Sequence, residues 1–387
     1  MYPNDIRTML PASRAHGHAH AHSGKHDYSR TPINVYWETT QACALACRHC
    51  RAEAVPNPLP TELTHAEGKD LISQISRFGG KPGDPCPQLI LTGGDPLRRP
   101  DIFELIDEAR RRGLTVSITP SVTPTLTLET LTRLKQHGIE ALGISLDGSC
   151  SERHEAVRGV AGCFEWTMAA LRNAASLGLP IQVNTLVAQE TLDDLPRIYE
   201  LLKTHTITRW SLFFLISVGR GQTLQAISPE QAETCMQWIF DLSQQSPFAI
   251  GTTEAPSYRR VALQRMQAEG RYTGKIQKTP VHRGFGIRDG HGIVFVSSEG
   301  YIYPAGFLPL IAGNVRRDNL VDIYRNSPLF QSLHTPGTFK GKCGQCEFSV
   351  LCGGSRSRAY AATGDPLASD PLCLYEPKSS FVTISAS

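Results

Sequence analysis

Strong charge of either sign is missing from this sequence: the 387 residues carry a formal net charge of +3, and no basic stripe runs along a predicted helix. Nucleic acid is therefore not an expected partner, although local anion pockets remain open. Long apolar runs are missing too. No stretch approaches the roughly 20 residues that span a membrane, and the N-terminus has no apolar signal core, so no membrane partner and a cytoplasmic location are expected. An apolar content of 40% and a charged content of 19% are ordinary for a globular chain. The length allows one large α/β domain and a smaller one.

Three regions follow from the patterning. Residues 1–30 are polar and Gly/Ala/His-rich, with no apolar periodicity, and are expected to be a disordered tail. Its His16, His18, His20 and His22 alternate with small residues, a pattern that binds divalent metal loosely. Over residues 31–250, short apolar runs alternate with helical patterns, as in repeated βα units. The expected strands are Ile33–Trp37, Gln88–Thr92, Leu114–Thr119, Ala141–Leu146, Ile181–Leu186 and Arg209–Leu215. The expected helices are His65–Phe78, Ile102–Arg111, Leu128–His137, Glu165–Leu177, Asp193–His205 and Pro229–Leu242. The predicted fold is therefore α/β, an incomplete six-stranded TIM-like (β/α)6 barrel. Such barrels gather their active sites at the C-terminal ends of the strands. Residues 251–387 read as a linker followed by a small loop-rich domain, with a helix near Tyr258–Glu269 and a hairpin, Ile293–Ser297 with Tyr301–Tyr303, turning at Glu299-Gly300.

Cysteine is what the chain has in quantity, eleven in all, and with no signal core these read as thiols or metal ligands rather than disulfides. Cys86, Cys150, Cys163 and Cys235 are scattered singly and are expected to be buried as small hydrophobes. Cys43, Cys47 and Cys50 form a C-x3-C-x2-C loop just past the first predicted strand. Three thiolates in one loop suit three irons of a four-iron cluster and leave the fourth iron open to a small molecule. A zinc site completed by His49 or a distant residue would use the same three thiolates. One barrel unit further on, Gly93-Gly94-Asp95-Pro96 follows the second strand. Glycines there allow close approach of a ligand to the backbone, and Asp95 adds an acceptor for a positive amino group.

Together, the cysteine loop, the Gly93–Pro96 turn and the barrel rhythm resemble the radical S-adenosylmethionine (SAM) enzymes. The resemblance implies a catalytic [4Fe-4S] cluster on Cys43, Cys47 and Cys50, with S-adenosyl-L-methionine bound at the open iron. It also implies an electron from a reducing partner such as flavodoxin or ferredoxin, and a 5′-deoxyadenosyl radical that abstracts hydrogen from substrate. His49 stands where the family usually has a larger aromatic near the adenine, and Asp95 where it usually has Glu. Ser145, Asp147 and Arg158 lie in a stretch, Ile144–Gly159, that resembles the family's enzymes with an extra C-terminal cluster domain. Arg158 is a candidate for the SAM carboxylate, and Ser121 and Asn184 for the ribose or methionine portion.

The second set, Cys343-x2-Cys346-x5-Cys352 with Cys373 beyond, supplies four thiolates, enough to close a cluster or to hold zinc. Its surroundings resemble the shortened SPASM/twitch-type auxiliary domain of radical enzymes of haem d1 and alternative haem synthesis. That implies a second, auxiliary [4Fe-4S] cluster. Longer relatives place a cysteine near Ala305, and its absence predicts one auxiliary cluster only. The resemblance makes the substrate a tetrapyrrole with propionate or acetate side chains, for which Arg283, Arg288, Arg356 and Arg358 are candidate anion contacts and His282 and His291 candidate macrocycle contacts. A ribosomally made peptide is the alternative substrate. A zinc-stabilised binding protein is the alternative outside this class.

Overall fold

The structure, a computed structural model, describes residues 27–79, 86–272 and 284–378. Seven strands run parallel in chain order: β1 (Asn34–Glu38), β2 (Gln88–Thr92), β3 (Thr115–Ile118), β4 (Ala141–Ser145), β5 (Ile181–Val187), β6 (Arg209–Phe214) and β7 (Ala249–Thr253). Between them come α1 (His65–Ser76), α2 (Ile102–Arg111), α3 (Leu128–Gln136), α4 (Ser151–Arg158), α5 (Cys163–Ser176), α6 (Leu195–Lys203) and α7 (Pro229–Ser243). Strand residues alternate between two faces. Val35, Trp37, Leu89, Leu91, Val116, Ile118, Leu142, Ile144, Trp210 and Leu212 point outward and are sealed under the helices by Leu71, Ile72, Ile75, Leu105, Ile106 and Leu131. The opposite positions, among them Tyr36, Thr92, Thr119, Ser145, Asn184 and Thr253, face an interior cavity. Helix starts are strongly specified: Thr64 with Glu67 and Ser228 with Gln231 form complete capping boxes.

The expected α/β half-barrel is present, with a sheet longer than the sequence suggested. Strand β7 adds parallel to β6, pairing Arg209 with Ala249. Its sequence, AIGTT, carries no apolar alternation, and a Cβ at Gly251 would fall 2.5 Å from the Arg209 guanidinium. Helix α4 escaped notice because only His154 and Val157 of its eight residues are buried. After α8 (Tyr258–Ala268), the hairpin β8 (Ile293–Val296) and β9 (Tyr301–Tyr303) joins the barrel sheet directly. Strand β8 pairs parallel with β1, Asn34 opposite Ile293, and β10 (Gly313–Asn314) completes a ten-stranded order among the described residues. Four short helices follow, α9 (Leu320–Asn326), α10 (Pro328–His334), α11 (Gly341–Gln345) and α12 (Arg356–Thr363). Of the expected N-terminal tail, the four alternating histidines lie outside the described residues. The chain has joined the fold by Tyr28, whose ring meets His291 edge-on at 5.7 Å. Cys163 and Cys235 are buried as expected, whereas Cys86 and Cys150 are exposed, on the approach to β2 and at the N-cap of α4. No helix among the described residues is long and apolar enough to cross a membrane.

What positions the cysteine loop is backbone pairing with the glycine turn. Thr39 N donates to Thr92 O at 2.8 Å, Gly94 N to Thr40 O at 2.8 Å and Asp95 N to Ala42 O at 2.7 Å. The approach is so close that a Cβ on Gly94 would lie 2.4 Å from Ala42 O, and one on Gly93 (φ +154°) 2.5 Å from Thr40 O. Gly94→Ala should therefore displace the loop and destabilise the protein by about 1–3 kcal/mol. Gly337→Ala, where a Cβ meets nothing within 4 Å, should be close to neutral. Urea unfolding of the two variants checks this.

Candidate active site

Cys43, Cys47 and Cys50 line one cavity of about 310 Å³ at the C-terminal ends of the barrel strands, shared with His49, Gly93, Gly94, Ser121, Ser145, Arg158 and Asn184. A volume near 300 Å³ is in the range of small-molecule sites. Asp95 and Pro96 lie buried behind the turn, outside the lining. Asp95 caps the short helical turn Pro96–Arg98, accepting from Leu97 N at 3.2 Å and from Ser121 N at 3.3 Å. Burial pushes its carboxyl up to about 6. Its observed partners are thus backbone amides.

The thiols have polar company. Ser121 Oγ is 3.2 Å from Cys43 Sγ and donates to Gly94 O at 2.9 Å, tying loop to turn. Leu45 N donates to Cys43 Sγ at 3.3 Å, and Arg158 Nη1 to Cys47 Sγ at 3.6 Å. Arg158 is held from behind by Asp147, 2.7 Å from Nη2, and Asp147 in turn accepts from Leu186 N at 2.7 Å. The Asp147 backbone N–H donates to His154 Nδ1 at 3.0 Å, which requires a neutral ring with an unprotonated Nδ1. Burial, reinforced by Arg158, lowers His154 to about 4. Arg220, in the turn after β6, was not anticipated from the sequence. Its Nε and Nη1 donate to Cys47 O (3.0 Å) and Ala54 O (3.3 Å), and its backbone N to Cys50 O (3.1 Å). A lone Arg in a Gly-rich stretch carries no local signal of that role.

Three buried polar atoms around this loop, His49 Nδ1, Arg158 Nε and Arg220 Nη2, have no hydrogen-bond partner among the described residues. Buried polar groups are rarely left so, and their placement beside three thiols fits a polar ligand lying against the loop. The sequence pattern of the radical SAM superfamily matches residues 37–202, a span that holds all three cysteines. The AdoMet-dependent heme synthase of Methanosarcina barkeri is 36% identical over 90% of this chain and 98% of its own length. The chain belongs to the radical SAM superfamily. The heme synthase of Nitratidesulfovibrio vulgaris is likewise 36% identical, over 94% of this chain and 98% of its own. The fold matches that of Streptococcus suis SuiB bound to its precursor peptide SuiA, at a TM-score of 0.67 and 16% identity, over 89% of this chain and 76% of SuiB. As a radical SAM enzyme, the protein is expected by family to use a [4Fe-4S] cluster and SAM, and membership displaces the zinc reading of the barrel cysteines.

Away from the cavity, Cys343, Cys346, Cys352 and Cys373 are brought together around one small pocket with Arg260 and Gly354. Arg356 Nη2 and Asp370 N each donate to Cys343 Sγ at 3.4 Å, and Gly354 N to Cys352 Sγ at 3.4 Å. Burial pushes Cys352 up to about 12 and Cys346 up to about 11. Such thiols stay protonated unless a metal takes the proton's place, and the N–H donors aimed at sulfur suit a bound cluster.

None of the described arginines offered by the sequence as substrate contacts lines the cavity. Arg288 donates to the carbonyls of Gly286, Leu333 and His334. Arg356 is fully buried, donating to Pro366 O and Ala368 O as well as to Cys343. Arg358 lies 3.5 Å from Asp370 and reaches Leu215 O at 3.4 Å. His291 hydrogen-bonds Gly286 O, and Arg283 and His282 lie outside the described residues. Unpredicted residues that line the cavity instead include Arg51, Phe295, Phe307, Glu254 and Asp289. Glu254 follows β7 directly at φ +58° and accepts from Ser355 Oγ at 2.7 Å. Burial, then the Asp289 carboxyl, hold it well above the usual carboxylate range.

The lowered His154 sets a pH dependence. A histidine whose folded value lies below its unfolded one stabilises the fold when neutral, above pH 6.5, and that stability is lost as the pH falls toward 4. Between pH 6.5 and 5.5 the unfolding free energy should drop by on the order of 1 kcal/mol through this residue. The corresponding slope should be shallower in His154→Gln, measured by urea midpoints at the two pH values.

Proposed function

We propose that this radical SAM enzyme acts on the acid side chains of a tetrapyrrole, in the role named for its heme synthase relatives. The observation that carries the reading is identity of 36% over 90% of this chain and 98% of such a synthase. In this reading Cys43, Cys47 and Cys50 hold the catalytic cluster, and Cys343, Cys346, Cys352 and Cys373 hold a second. Reductive cleavage of SAM at the first would supply the 5′-deoxyadenosyl radical, with electrons from a flavodoxin or ferredoxin.

The chain's own residues prepare that chemistry. Gly93 and Gly94 bring the turn's backbone to the cavity wall, with Asp95 and Pro96 holding the turn from behind. Ser121, Ser145 and Asn184 offer hydroxyl and amide groups to ribose or methionine atoms. His49 presents a half-buried ring, its titration lowered to about 4 by desolvation so that it is neutral near pH 7, as a stacking surface beside the third cysteine. Arg158, oriented by Asp147, has an unpartnered Nε for the SAM carboxylate, and Arg220 fixes the loop while keeping Nη2 free.

Anaerobically purified protein should contain about eight irons with matching sulfide, and the Cys43→Ala, Cys47→Ala, Cys50→Ala triple variant about four. The triple variant should form no 5′-deoxyadenosine, and zinc with little sulfide in the wild type would sink the proposal. Incubation with SAM, reductant and iron-coproporphyrin III should change the mass of the porphyrin. An unchanged porphyrin together with modification of a co-expressed short peptide would establish the peptide reading instead.

A further inference from the structure

With the predicted arginines turned elsewhere, the cavity needs another group to meet an acid-bearing substrate, and Arg51 has the geometry. It follows Cys50 directly and lines the cavity. Its side chain is only 18% exposed, with Nη1 3.2 Å from Glu38 Oε2 at the end of β1. The guanidinium carbon lies 4.2 Å from the centroid of the Phe295 ring on β8. Glu38 and Phe295 thus set the plane and rotation of the fork, while Nε and Nη2 have no hydrogen-bond partner among the described residues. Those two atoms form the edge that grips a carboxylate through two parallel N–H bonds.

A second observation marks the same edge as kept clear. Gly306 packs beside it, and a Cβ there would stand 3.0 Å from Arg51 Nε and 3.2 Å from Phe295 Cδ2. Any side chain at 306 would crowd the stack and cover Nε. Ala305 and Phe307, on either side, continue an apolar wall with Ile293 and Phe295. Arg158 and Arg220 also keep one N–H without a partner among the described residues, but both are bonded to atoms of Cys47, whereas the side chain of Arg51 is bonded to Glu38.

We propose that Arg51, stacked on Phe295 and oriented by Glu38, anchors a substrate carboxylate through its Nε–Nη2 edge, and that the Phe295–Phe307 wall receives the flat face of the ring bearing it. The proposal rests on the tetrapyrrole reading above. It makes Arg51 and Gly306 specificity determinants for an aromatic macrocycle with acid side chains, distinct from the groups beside the cysteine sulfurs.

The test is a binding titration of the cluster-loaded protein with iron-coproporphyrin III and with its methyl ester, followed by the porphyrin absorption band. Arg51→Ala should weaken binding of the free acid about 10- to 100-fold, the range for a lost charge-assisted hydrogen bond. The ester should bind wild type and Arg51→Ala equally weakly, and SAM retention in equilibrium dialysis should be unchanged. Gly306→Ala, which leaves the charge in place, should weaken the free acid in the same direction. Acid binding that ignores residue 51, an ester that loses as much as the acid, or a parallel loss of SAM binding would each overturn the anchor. A wild-type protein that binds no porphyrin would overturn the tetrapyrrole reading itself.

Discussion

The clasp between the Gly93–Asp95 turn and the backbone of Thr40–Ala42 is the constraint on which the rest of the site depends. Two amides of the turn donate to two carbonyls of the cysteine loop, at a separation that leaves no room for a Cβ at Gly94. The loop has no regular secondary structure to hold it. Its further supports include the bonds of Cys43 N to Val55 O and Arg48 N to Val157 O, the Glu62 carboxylate that accepts from Thr40 Oγ1 and Gln41 N, and the three bonds from Arg220. Through Ser121, which touches Cys43 Sγ, Gly94 O and the Asp95 carboxylate, the clasp also sets where the first thiol sits. The glycines were expected to make room for a ligand. They also make room for the loop itself.

Charge in the barrel mouth is distributed by burial. Arg158 is partnered by Asp147, Arg51 by Glu38, and Arg220 by backbone carbonyls, and Arg158 Nε and Arg220 Nη2 are buried with no partner among the described residues. Burying a cation with incomplete satisfaction is costly, so this arrangement favours occupation of the cavity by anionic or polar groups. The histidines next to it, His49 and His154, are held neutral by burial and add no competing positive charge. Glu254, also in the lining, shares its surroundings with Asp289 and is tied through Ser355 to Asp370, whose amide reaches Cys343 Sγ. One hydrogen-bonded chain therefore connects the wall of the cavity with the second cysteine pocket.

How much could be read in advance depended on whether the signal was local. Gln88–Thr92 and Ile102–Arg111 fall where they were expected because their apolar periodicity is strong, even though Asp101, at the N-cap of the helix, spends its carboxylate on Arg99 and His65 rather than on the helix amides. Strand β7 and helix α4 were not visible, since one carries Gly251 in a weakly apolar run and the other buries only two residues. The hairpin was visible, but its parallel pairing with β1 joins residues more than 250 positions apart, and no local pattern reports that. The same holds for arginine. Arg288, Arg356 and Arg358 sit in suggestive company in the chain, yet each is consumed by carbonyls, a carboxylate or a thiol.

By itself, the sequence determined the cysteine spacing, the glycine turn and the rhythm of βα units, because each of these depends on neighbours a few residues apart. Only the tertiary structure decided which polar groups face the cavity. Arg51, Arg220, Phe295, Gly306 and Glu254 come from five separate segments of the chain and meet only when the sheet curves and β8 adds beside β1. Whether a buried arginine binds a ligand or braces the fold is settled by the partners within hydrogen-bond reach, and those partners are distant in the chain.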